Sequence, residues 1–136
     1  MRQFAVITLL CCATLLPAVA QAGRTASLTE PGPIEVTASA TPDQIQQGIK
    51  SAMTSLRWTP DNEHPGYVEG KYTGGNYWVR IAVSCAGHTV SIRYLTSNGL
   101  SFEEKGDRRL IHANYNKWVT ALASAIPRSV ERAASQ

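Results

Sequence analysis

Cysteine is scarce in this sequence, and two of its three copies, Cys11 and Cys12, lie inside the apolar run at the N-terminus. Neither fits a lipidation site. Leu10 precedes Cys11 where a small residue is required, and both cysteines sit within the apolar core rather than just after it. Long hydrophobic runs are also missing. The run Phe4 to Leu16 falls short of the ~20 apolar residues that a spanning helix needs, and Pro17 interrupts it. Charge of one sign is lacking too, with 13 basic against 10 acidic residues. A balance so small and so dispersed gives no footprint for nucleic acid. Catalytic and metal signatures are absent as well: there is no G-x-S-x-G, no H-E-x-x-H, no phosphate-binding glycine loop and no C-x-x-C pair. No motif asks for a cofactor.

What is present at the N-terminus reads as a secretory signal peptide spanning residues 1–22. Arg2 supplies the positive charge, the apolar run follows, and both Ala18-Val19-Ala20 and Ala20-Gln21-Ala22 satisfy the A-x-A rule. Cleavage is expected before Gln21 or before Gly23. The expected compartment is the periplasm, with an envelope-anchored or extracellular location as the alternative. Removal of the leader takes Arg2, Cys11 and Cys12 with it, leaving 12 basic residues against 10 acidic and a single cysteine, Cys85. An intramolecular disulfide is then excluded, so the fold rests on its core, or Cys85 joins two copies as a homodimer.

The remaining length suits one domain. Residues 23–40 mix Gly, Pro, Thr, Ser and Ala and read as a flexible segment, in which Ile34 to Thr37 is a candidate edge strand. The folded part, residues 41–127, opens on a helix signal. Thr41 is a good N-cap, Pro42 suits the first helical position, and Gln44 completes a capping box. Ile45, Ile49, Ala52, Met53 and Leu56 then form one stripe, which predicts an amphipathic helix ending near Arg57.

Periodicity next changes from 3.6 to 2. Tyr67 to Thr73, Asn76 to Ser84 and His88 to Leu95 alternate as strands, joined by turns at Gly74-Gly75 and Cys85-Ala86-Gly87. A short strand around Arg57 to Thr59 precedes them, limited by Pro60 and Pro65. Alternation puts Tyr77, Val79, Ile81, Val83 and Cys85 on one face with Val90, Ile92 and Tyr94, and puts Trp78, Arg80, Ala82 and Ser84 on the other. A polar loop, Thr96 to Arg109, leads to a second helix capped by Asp107. Its stripe of Ile111, Tyr115, Trp118, Val119, Leu122 and Ile126 ends before Pro127, and residues 128–136 form a polar tail. Two amphipathic helices and a sheet with one apolar face predict an α+β two-layer sandwich. It has an antiparallel meander of three to four strands, and the helices lie together on one face in the order α-β-β-β-α.

The run Ile111-His112-Ala113-Asn114-Tyr115-Asn116-Lys117-Trp118-Val119, preceded by Ser91-Ile92-Arg93-Tyr94, Ser97-Asn98 and Leu100, resembles a group of small exported proteins and lipoproteins of Gram-negative bacteria. The likeness covers roughly Thr41 to Ile126. It implies an exported α+β protein and carries no activity. Many relatives begin on a lipidated cysteine, from which this chain departs.

Three groupings are candidates for chemistry. Cys85 and His88 form a C-x-x-H pair that His64 and His112 would have to join at a metal, and their spacing does not bring them together. Cys85 beside His88 also has the residue types of a thiol nucleophile, but a cysteine at a strand end is more often packing. Glu103-Glu104, with Lys105, Arg108 and Arg109 nearby, reads as solvated charge. The outer sheet face is the stronger candidate. Trp78, Arg80, Arg93 and Lys71 would stand there together, an arrangement suited to a carboxylate, a glycan or a partner protein, although the same pairs also serve as cross-strand stacking. The expected function is therefore binding by an exported envelope protein, to an envelope protein or an anionic ligand, rather than catalysis. The alternative is an accessory domain for a small ligand or metal.

Overall fold

The order of polar and apolar residues between Thr41 and Trp58 sets the first helix, and the computed structural model, which describes residues 24–136, shows how it is closed. The expected signal peptide, its cleavage sites, Cys11 and Cys12 lie outside the described residues. Helix α1 spans Pro42–Ser55. The Thr41 hydroxyl accepts from the Gln44 amide at 3.2 Å, and the Gln44 side chain accepts from the Thr41 amide at 2.9 Å, so the capping box forms as read. At the other end Arg57 turns the chain with φ of 69°, and Trp58 drops into the core.

The described residues form eight strands, in chain order around α1: β1 (Thr25–Ser27), β2 (Ile34–Glu35), β3 (Thr59–His64), β4 (Tyr67–Thr73), β5 (Trp78–Ala86), β6 (Thr89–Asn98), β7 (Glu103–Lys105) and β8 (Arg108–His112). A final helix, α2, spans Ala113–Ala134. The larger sheet has the order β2-β6-β5-β4-β3 and every pairing described in it is antiparallel. The smaller sheet has the order β1-β8-β7.

One face of the larger sheet is dry. Val68, Val79, Ile81, Val83, Val90, Ile92 and Tyr94 bury against Ile45, Ile49, Ala52 and Met53 of α1 and against Tyr115, Val119, Leu122, Ile126 and Val130 of α2. The two helices also pack on each other. A Cβ on Gly48 would sit 2.6 Å from the Cα of Val130 and 2.7 Å from its Cγ2, so the missing side chain at Gly48 is what lets α2 approach α1 at Val130. This is an α+β sandwich with both helices over one sheet face.

Several local expectations are corrected. Residues 24–40 are not a free tether. β1 pairs with β8, β2 pairs with β6, and Val36 and Ala40 are buried. Polar composition concealed this because the segment is held largely by backbone bonds and by Asn116, whose amide nitrogen donates to the Ser27 carbonyl at 2.8 Å while its oxygen accepts from the Thr29 amide at 2.9 Å. The polar loop at residues 96–109 is mostly strand. β6 runs on to Asn98, and β7 and β8 form a hairpin turning at Gly106-Asp107, with Gly106 at φ of 61°. Asp107 therefore caps no helix. His112 does so, its Nδ1 accepting from the Asn114 amide at 3.2 Å.

Pro127 does not end α2, and residues 128–136 are not a frayed tail but continue the helix to Ala134. An interior proline costs about 3 kcal/mol, and burial of Ile126, Ser129 and Val130 on either side of it offsets that loss. The sheet is wider than the three or four strands expected. β3 extends through Pro60 as an edge strand, and its pairing with β4 slips between Asp61 and Glu63. The Gly74-Gly75 turn is longer than two residues, since Thr73 pairs with Trp78 across Gly74 to Tyr77.

Candidate functional site

Because both helices cover one face of the larger sheet, the other presents the alternate residues of β3 to β6. Register brings Lys71 opposite Arg80, Glu69 opposite Ala82, Thr73 opposite Trp78 and Arg93 opposite Ala82. Between Arg80 and Ile81 the β5–β6 pairing slips and leaves Leu95 unopposed, so that Thr96 and Asn98 stand beside Arg80 and Trp78 on this same face.

Charges on the face are sorted unequally. Arg80 donates to Glu69 Oε2 at 3.2 Å and to Asp61 Oδ2 in a shorter contact. Its guanidinium, donating to Asp61, holds that carboxyl below the usual carboxylate range. The Tyr67 hydroxyl donates to the other oxygen of Glu69 at 2.8 Å, and this bond pushes the phenol up, since ionisation would break it beside a carboxylate. The His64 ring stacks on Tyr67 at 4.5 Å between centroids. Lys71 lies over the Trp78 ring with Nζ 5.2 Å from its centroid. Among the described residues Lys71 and Arg93 form no ion pair, and they stand two strands apart, about 10 Å across the sheet.

The four residues expected at this site thus share the face but not one role. Trp78 and Lys71 form a stacked pair, and Arg93 is exposed. Arg80 is ion-paired, with Asp61 and Glu69 against its guanidinium. Glu69 was within reach of sequence reading, since it alternates with Tyr67 and Lys71. Asp61 was not, because only the β3–β4 register brings it beside Glu69.

No family model, curated protein or solved structure matches this chain. The assignment of chemistry therefore rests on geometry.

Elsewhere the geometry separates residues that sequence had grouped. The Cys85 thiol donates to the Gly87 carbonyl at 3.2 Å, whereas His88 Nε2 lies 3.1 Å from the Ala40 carbonyl, so the two do not address a common point. Burial pushes the Cys85 thiol up, the direction opposite to that which activates a nucleophile. No three His, Cys, Asp or Glu side chains converge among the described residues. Glu103 pairs with Lys105 at 3.4 Å on the exposed β7–β8 hairpin.

In the Y-N-x-W segment, Tyr115 is fully buried and its hydroxyl has no hydrogen-bond partner among the described residues. Trp118 is half-buried rather than fully core, stacked on Tyr72 at 4.5 Å and on Tyr77 at 5.4 Å. Asn116 and His112 hold the N-terminal segment and the helix start. What the sheet face offers is stacking, ion pairing and hydrogen bonding, the means of recognition.

Proposed function

We propose that this chain is an exported envelope protein that acts by binding, and that the uncovered face of the larger sheet meets its partner or an anionic ligand. One observation carries the reading: Trp78 and Lys71 form a cation–aromatic pair on an open sheet face, with Arg93 two strands away and free of acidic partners among the described residues. The Lys71–Trp78 pair suits a carboxylate-bearing group, because the ring contributes area and the lysine contributes charge, and Arg93, opposite Ala82 further along the face, adds a second cation. Export is supported by the A-x-A sites after a short apolar run and by the resemblance to small exported proteins. No described helix is long and apolar enough to cross a membrane.

The test is site-specific photo-crosslinking in intact cells. A benzophenone amino acid at Thr73, exposed at the edge of this face, is expected to give discrete adducts, whereas the same group at Lys117 on the exposed side of α2 gives none. The adducts should disappear when Trp78→Ala and Arg93→Glu are combined. Adducts that are equally strong from both positions, or unchanged by the double substitution, overturn the reading.

A further inference from the structure

A second concavity lies on the helix-covered side of the sheet, away from Trp78. It is a cavity of about 300 Å³ between the first turns of α1 and the adjoining ends of β4 and β5. Ile45, Ile49 and Val68 line it and are almost wholly buried, Pro42 and Pro65 stand exposed at its rim, and Cys85 forms part of its wall. A cavity that holds one benzene ring measures about 150 Å³, so this one has room for roughly twice that. Its volume reaches the lower end of the range typical of small-molecule sites, about 300 to 1,000 Å³.

The polar groups around it are already engaged. The Gln46 oxygen accepts from the Gly66 amide at 3.1 Å, and its nitrogen donates to Glu63 at 3.0 Å and to the His64 carbonyl at 3.2 Å. The Cys85 proton goes to Gly87. Water in the cavity would find few partners, and an apolar group that displaces poorly bonded water gains affinity. A charged ligand would have to leave bulk water for a wall that, among the described residues, carries no charged side chain.

We infer that this cavity is a binding site for a compact, uncharged, largely apolar molecule of about two fused rings, or a short branched chain of equal volume. The cavity lies across the sheet from Trp78 and shares only Tyr67, whose hydroxyl is held by Glu69, with the residues described on the open face, so either reading can fail without the other. Indole is a suitable probe, and its carboxylate derivative indole-3-acetate is the charged counter-probe. On protein labelled at the isoleucine and valine methyls, indole up to about 5 mM, enough to saturate a site with Kd of ~1 mM, is expected to give saturable NMR shifts at Ile45, Ile49 and Val68. The methyls of Val79, next to Trp78, should not move. Cys85→Ser keeps the cavity and should keep the shifts, whereas Cys85→Phe fills it and should weaken binding by about tenfold or more.

Absence of saturable shifts at these methyls overturns the inference. So do equal shifts with indole-3-acetate, or indole shifts of undiminished affinity in a folded Cys85→Phe variant. Should Cys85→Phe fail to fold, the wild-type shift map and the counter-probe decide between the same outcomes.

Discussion

At the scale of single residues, the three tryptophans divide the molecule by depth. Trp58 is fully enclosed and tilted against Tyr72 at 5.3 Å, Trp118 is half-buried in a stack, and Trp78 lies on the open face under Lys71. Replacement of each by alanine should therefore cost in that order. We expect about 3 to 5 kcal/mol at Trp58, about 2 kcal/mol at Trp118, which is packed against the core edge but not fully enclosed, and on the order of 1 kcal/mol at Trp78 from lost cross-strand contact. Denaturant melts of the three variants check the ranking, and a Trp78 variant as weak as the Trp58 variant would show that the sheet face is covered.

Tyr115 gives a second test. Burial pushes its phenol far up from the ordinary value near 10. A raised acid of this kind contributes stability that is intact below about pH 10 and is lost as pH climbs above it, because the unfolded chain releases the proton first. Since the hydroxyl has no partner, Tyr115→Phe should be neutral or stabilising at pH 7, and it should move the midpoint of alkaline unfolding upward. An unchanged alkaline midpoint would mean that another group governs it.

At the scale of elements, legibility followed the strength of local signals. α1 was readable to its cap because Thr41, Pro42 and Gln44 act within one turn, and β4 to β6 were readable because apolar residues alternate over long stretches. The β7–β8 hairpin was not, since Glu103 to Lys105 and Arg108-Arg109 carry charge on both faces and only pairing in space makes them strands. Pro127 misled for the opposite reason: a strong local stop signal was overridden by packing on both sides. The candidate face was half legible. Alternation placed Trp78, Arg80, Arg93 and Lys71 together, while the acids that occupy Arg80 depend on register.

Contact between α1 and α2 was invisible in sequence for a simpler reason. A glycine within a helix reads as a weakness, yet Gly48 is where the two backbones meet. Gly48→Ala raises helix propensity but places a methyl against the Val130 backbone. The clash should prevail, costing about 1 to 3 kcal/mol as overpacking does. A thermal melt more stable than that of the parent would show that the helices separate at little cost.

At the scale of the whole molecule, the proposed export makes a mass the decisive quantity. Cleavage at either A-x-A site would leave β1 complete, because it begins at Thr25. Intact-mass measurement of protein recovered from cells should give a chain that starts at Gln21 or Gly23. A mass that retains residues 1–20, or one raised by a diacylglycerol group, would count against a processed, unlipidated protein.

The bonds made by Asn116 also set an order of events in time. Thr29 and Asn116 are 87 residues apart in the chain, and β1 closes only on β8, which immediately precedes α2. Contacts of such separation form late, because the entropy of a long loop must be overcome first. If the proposed export delivers the chain N-terminus first, β1 arrives before β8 and stays unpaired until nearly everything else has followed. Once α2 follows and Asn116 reaches back, β1 closes on β8, which makes it the last strand of the described residues to be fixed.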